Sequence, residues 1–196
     1  MELDLMPRKK QKVEAPGSRP SLLAQLAREP EKLFSAAFRQ QYGAVCFRYI
    51  DDTENIEVLL ISSRDSGRWI VPKGWPMKRK KPYETAEIEA WEEAGVNGVV
   101  HKTPVGRYTY LKFVDDGEIA PIIVDLFQIE VTDQKNVFKE KGQRQMAWLA
   151  PDEAARRVRE LELKSLLVDF TPRGKRRKQE PPLVPDEKPS RQCGNE

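Results

Sequence analysis

Residues 43–50 form a short run of apolar and aromatic side chains, GAVCFRYI, followed by the polar cluster Asp51-Asp52-Thr53-Glu54-Asn55 and a second apolar run, IEVLLIS, over residues 56–62. Two β-branched and aromatic runs joined by a turn cluster predict a β-hairpin. Trp69-Ile70-Val71 predicts a third, short strand that Pro72 stops. Over residues 82–94 the period changes. Pro82 suits a first helical turn, Ala86, Ala90 and Ala94 recur every four residues as a narrow stripe, and Gly95 suits the position just past the end. Further strands are predicted over 99–102, 106–113 and 120–131, and after a polar loop over 145–149. Pro151-Asp152-Glu153 opens one final helix ending near Phe170, with Ala154, Val158, Leu161, Ser165 and Leu166 on its inward face. Strands mixed with a few amphipathic helices predict an α/β fold with one core.

At 196 residues the chain is long enough for one catalytic domain. Its polar segments lie at the ends, so the domain is expected over residues 34–170, between a basic arm (1–33) and a basic tail (171–196) expected to be disordered. The arm carries a net +2 and the tail +3, which leaves −2 for the domain within a total of +3. The basic character therefore belongs to the ends, and nucleic acid is expected as a partner only through them. Cys46 and Cys193 build no disulfide framework, and the single His101 excludes a histidine-rich metal centre. No apolar run approaches the roughly 20 residues of a spanning helix, and the first residues lack the order of a secretory signal. A cytoplasmic protein with no membrane partner is expected.

The chemistry concentrates on the helix at 82–94. Glu89, Glu92 and Glu93 stand at i, i+3 and i+4, so their side chains share one face within about 5–6 Å. Such a cluster either faces water or holds a hard cation such as Mg²⁺ or Mn²⁺ through its oxygens. The context favours the cation: the helix follows a strand, Pro72-Lys73-Gly74 and a basic loop, and closes on Ala94-Gly95-Val96. Residues 74–96 resemble the Nudix box, G-x5-E-x7-R-E-U-x-E-E-x-G-U, over its full length without a gap. Gly74, Glu89, Glu92, Glu93, Gly95 and Val96 match, and Ala90 fills an aliphatic position with a smaller side chain. Lys80 stands in place of the first glutamate and Ile88 in place of the arginine. That pair is held to brace the loop in the family, and losing both residues is more coherent than stranding one charge. Apolar packing of Ile88 with Trp91 is the expected replacement.

Ser62-Ser63-Arg64, Trp69-Ile70-Val71-Pro72 and Trp148 ahead of Asp152-Glu153-Ala154 are similar to the diphosphoinositol polyphosphate phosphohydrolase branch, which also includes enzymes that cleave dinucleoside polyphosphates. Lys73-Gly74-Trp75-Pro76 replaces the glycine-rich run usual there. The resemblance implies a Nudix-type α/β/α sandwich with a mixed β-sheet and a loop-helix-loop motif. The Gly74 carbonyl with Glu89, Glu92 and Glu93 would hold Mg²⁺ or Mn²⁺, with Glu140 as the distant carboxylate, and Glu89 or Glu93 would orient a water. The loop Lys78-Arg79-Lys80-Lys81 with Lys73 would draw in a polyphosphorylated small molecule. Ser63, Arg64, Lys73, Lys78 and Arg144 are the candidate phosphate contacts. The competing expectation is a Nudix-fold module that binds an anionic ligand without cleaving it. Trp91 and Trp148 are expected in the core.

Overall fold

The computed structural model describes residues 38–50, 53–113 and 119–174. The expected arm at 1–33 and all but the first four residues of the expected tail lie outside them. The central sheet is built from β1 (Arg39–Tyr49), β2 (Ile56–Ser62), β3 (Trp69–Ile70), β4 (Lys73–Gly74), β5 (Val96–Val100), β6 (Gly106–Phe113), β7 (Ile119–Gln134) and β8 (Met146–Leu149). The helices are α1 (Pro82–Ala94), α2 (Pro151–Arg157) and α3 (Leu161–Val168).

The expected hairpin forms, with Phe47 opposite Val58 across β1 and β2. The sheet is mixed because β1 also runs parallel to β7, from Arg39 against Ile122 to Phe47 against Glu130. β5 and β6 both pair antiparallel with β7, whose 16 residues are long enough to carry three neighbours. β4 pairs with the start of β1, placing Tyr42 against Gly74 and Gly43 against Lys73.

Alternation along β1 sorts the two cores. Tyr42, Ala44 and Cys46 face α1, whose alanine stripe of Ala86, Ala90 and Ala94 is fully buried against them. Val45 and Phe47 face the opposite layer, where Ala154, Val158, Leu163 and Leu167 of the terminal helices pack with Leu126 and Tyr108. Helices on both faces of one sheet make the α/β/α sandwich, as expected. Alanine at three successive turns lets α1 approach the sheet closely, which sets the distance from its carboxylates to β4.

The terminal helix differs from the expectation. It breaks into α2 and α3, with Val158 extended (φ −77°, ψ 162°) and Glu160 extended ahead of Leu161. No glycine or proline marks the break. The extended segment turns the second helix so that Leu163 and Leu167 are buried and Leu161, expected on the inward face, is 79% exposed. It also carries Glu160 to Arg68, 3.1 Å away. The strand expected at 99–102 starts earlier, at Val96, with a register shift at Asn97/Gly98.

Candidate active site at the junction of β4 and α1

The start of α1 is fixed by Pro82 in its first turn and by Glu84, whose Oε2 accepts the Lys81 N–H at 2.8 Å. Its end is fixed by Gly95, left-handed at φ 68°, with its N–H bonded to the Trp91 carbonyl at 2.8 Å. Between these ends the helix turns Glu89 and Glu93 toward β4. A Cβ built on Gly74 would overlap the Glu89 carboxylate, so this contact exists only because residue 74 is glycine. The Glu89 carboxyl is pushed up to about 7, by burial first and then by the negative charge of Glu93, Glu92 and Glu140.

Glu93 is 6% exposed. Its Oε2 accepts the Lys73 N–H at 2.9 Å, and its Oε1 accepts from Arg144 Nη2. Burial raises its carboxyl, with Arg144 and Lys73 pulling the other way. Arg144 is buried as well. Its Nε donates to Glu140 Oε2 at 2.7 Å and its Nη1 to the Ser62 carbonyl at 2.9 Å. The loop that carries Arg144 also docks on the helix through Lys139 Nζ to Glu92 Oε2 at 2.6 Å and the Glu140 N–H to the Glu92 carbonyl at 3.0 Å.

The structure puts Glu93 and Glu140 on Arg144, Glu92 on Lys139 and Glu89 on Gly74. Arg144, the candidate phosphate contact, has its Nε, Nη1 and Nη2 each engaged by the protein. The Tyr42–Gly74 register, with the Ala44 N–H bonded to the Pro72 carbonyl at 2.9 Å, turns the Gly74 carbonyl back toward β1. In the same strand the Lys73 N–H points outward to Glu93, and the Lys73 carbonyl turns outward with it. Ile88 and Trp91 are half-buried and belong to neither core cluster. Trp148 does pack on the α1-side core, with its Nε1–H donating to Gln134 Oε1 at 3.1 Å.

The other expected phosphate contacts lie around this centre. Arg64 sits 3.3 Å from Glu140 Oε1. The Ser63 hydroxyl lies 2.6 Å from that of Ser66 inside its turn. Lys78 is exposed on the basic loop, where Arg79 adopts φ 64°. The Lys73 side chain leaves on the opposite face of the sheet from Glu89, with its ammonium 5.4 Å above the Tyr110 ring. Lys112, Arg68 and Tyr110, which neighbour it there, escaped the sequence reading, although alternation along β6 puts Tyr108, Tyr110 and Lys112 on one face.

Among the described residues no three His, Cys, Asp or Glu side chains converge closely enough to cage a metal ion as they stand, because Lys139 and Arg144 draw Glu92 and Glu93 toward themselves. The donor set nevertheless suits a hard cation. It offers carboxylate and carbonyl oxygens, and Glu89 stands in the negative field of Glu93, Glu92 and Glu140, which Lys139 partly offsets.

A family model described as the NUDIX domain matches residues 39–170. The chain belongs to the Nudix hydrolase family. It is 31% identical over 140 residues to Nudix hydrolase 21, chloroplastic, of Arabidopsis thaliana, an alignment covering 68% of this chain and 67% of the relative. It is 39% identical over 61 residues to the diphosphoinositol polyphosphate phosphohydrolase 3-alpha of Homo sapiens, covering 31% of this chain and 36% of that one. Among solved structures, a C. elegans Ap4A hydrolase binary complex superposes with a TM-score of 0.50 at 22% identity, covering 66% of this Nudix chain and 93% of that one, a likeness of fold. No helix of the described residues is long and apolar enough to cross a membrane.

Proposed function

We propose that this Nudix hydrolase cleaves a pyrophosphate bond in a highly phosphorylated small molecule of the diphosphoinositol polyphosphate or dinucleoside polyphosphate type, with Mg²⁺ or Mn²⁺. The observation that carries the reading is the packing of the Glu89 carboxylate on Gly74, beside Glu93 and within the field of Glu92 and Glu140. Glu89, Glu92, Glu93, Glu140 and the outward Lys73 carbonyl would hold the ion. When bound, the divalent ion acidifies a water and neutralises charge on the phosphate oxygens. Glu89 or Glu93 would orient the attacking water and take its proton at a carboxylate oxygen. Arg144 fixes Glu93 from behind, and Arg64, with Lys78 on the loop, meets the charge of the substrate. The exposed cations select a phosphate-dense substrate. The names of the relatives support the two substrate types. A cytoplasmic location is part of the proposal, although the Arabidopsis relative is named chloroplastic.

The test is release of phosphate from a panel of inositol pyrophosphates, diadenosine polyphosphates, nucleoside triphosphates and nucleotide sugars, with Mg²⁺ and with Mn²⁺. Turnover that vanishes in chelator and in Glu93→Gln supports the reading, and unchanged turnover in Glu93→Gln overturns it. The ion pairs of Lys139 with Glu92 and of Arg144 with Glu93 favour a second reading, a module that binds its anion without cleavage. Absence of metal-dependent release across the whole panel supports that one. Any recruitment of nucleic acid by the basic ends is a property of residues outside those described.

A further inference from the structure

A second cationic cluster lies on the opposite face of the sheet from Glu89, and it follows from β-strand alternation. Gly74 faces α1, so Lys73 must face the other layer, beside the β6 residues Tyr110 and Lys112. Three cations meet there. Lys73 Nζ lies 5.4 Å above the Tyr110 ring, the Arg68 guanidinium carbon 5.6 Å above the same ring, and Lys112 Nζ 5.4 Å above the ring of Trp75. Tyr110 is itself immobilised by stacking on buried Tyr108, with centroids 6.1 Å apart, and by donating its hydroxyl to Gln41 Oε1 at 2.7 Å.

The charges on this cluster do not balance. Arg68 is paired with Glu160, but among the described residues neither Lys73 nor Lys112 has an ion-pair partner. Two ammonium groups without an ion-pair partner among the described residues thus stand near an arginine on an aromatic floor, an arrangement in which cation repels cation. An anion resolves it.

We propose that Lys73 and Lys112, over Tyr110 and Trp75, form a subsite for a phosphate group of the substrate other than the one being cleaved. The inference rests on the pyrophosphohydrolase reading for its context. Lys73 links the two centres, since its main chain turns outward to Glu93 while its side chain enters the second cluster. β4 is only two residues long and pairs with β1 on one side, so a polyanion lying along its other edge reaches both faces of the sheet. The site takes a phosphate of either a linear polyphosphate or a phosphorylated ring. Trp75, 39% exposed, gives it an apolar wall.

The experiment is calorimetric titration of the full chain in chelator with inorganic tripolyphosphate and with inositol hexakisphosphate, for wild type, Lys73→Met, Lys112→Met, Lys112→Arg and the remote control Lys135→Met. Lys112→Met and Lys73→Met are expected to weaken binding of at least one probe about tenfold each, while Lys112→Arg and Lys135→Met bind like wild type. The probe that depends more strongly on Lys112 identifies the linear or the ring-borne phosphate as the ligand. Melting curves identify any variant that fails to fold, and because Lys112 is half-exposed at the end of a strand its variants carry the decision. Wild-type affinity for both probes in Lys112→Met overturns the subsite. The hydrolase reading fails separately: binding that depends on Lys112, with no Mg²⁺- or Mn²⁺-dependent phosphate release, leaves the subsite and removes the catalysis. With an active substrate, Lys112→Met is expected to raise KM and spare kcat, a division that a merely structural role would not produce.

Discussion

The Arg144 guanidinium donates to the Glu93 carboxylate from 51 residues further along the chain, and both side chains are less than a tenth exposed. This pair ties the last loop to the face of α1. It follows that the loop at 139–144 and the face of α1 form one unit, since Lys139 and the Glu140 N–H hold Glu92 as well.

Removing one partner of a buried pair strands the other. Arg144→Met leaves the Glu93 carboxylate buried without its cation and is expected to cost about 3–5 kcal/mol in urea unfolding. The double variant Arg144→Met/Glu93→Gln is expected to recover a large part of that loss. A double variant as unstable as the sum of the two single ones would show that the pair is not coupled.

Gly74→Ala puts a methyl group where the Glu89 carboxylate lies. Phosphate release is expected to fall at least tenfold while the far-ultraviolet circular dichroism is unchanged, because the displaced group is a side chain at the edge of the sheet. Retention of full activity would mean that the Glu89–Gly74 packing is not part of the site.

The stability of the metal-free protein is expected to pass through a minimum between about pH 7 and pH 8. The Glu89 carboxyl is raised in the folded state to about 7, so its protonated form is favoured by folding. Stability from this group is greatest below its ordinary value of 4.5 and is lost as pH rises toward 7. Lys73 works in the opposite direction above that window: its folded value near 8 lies below its ordinary 10.5, so folding gains as pH rises from 8. Melting temperatures in chelator across this range test the shape. Glu89→Gln should flatten the acid limb, and a melting temperature that climbs steadily from pH 5 to 7 would contradict the assignment.

Cys46 lies fully buried between the sheet and α1, and burial pushes its thiol far above the usual range. It is expected to resist thiol reagents in the folded protein and to react on unfolding, with rates that track global stability. Rapid labelling under native conditions would imply local opening of β1.

Much of the molecule was legible in the order of its residues. Pro82 and Gly95 bounded α1 because each has a local backbone reason to stand where a helix starts or stops. The limits of β6 followed from its own composition, and spacing alone placed Glu89, Glu92 and Glu93 on one face. The break at 158–160 was not legible. No local signal marks it, and the extended backbone there goes with the burial of Leu163 and Leu167 and with the pairing of Glu160 and Arg68.

The sequence by itself determined the elements that nearest-neighbour chemistry controls: the hairpin, the carboxylate helix and the family they belong to. Tertiary structure decided everything that depended on which face or which distant segment a residue meets. The parallel pairing of β1 with β7, the burial of Arg144 against Glu93, the outward Lys73 carbonyl and the Lys73 ammonium over Tyr110 are all of this kind. The physical reason is that a side chain's direction along a strand depends on register, and the register of β4 on β1 and of β1 on β7 is set against partners that lie 30 to 83 residues away in the chain.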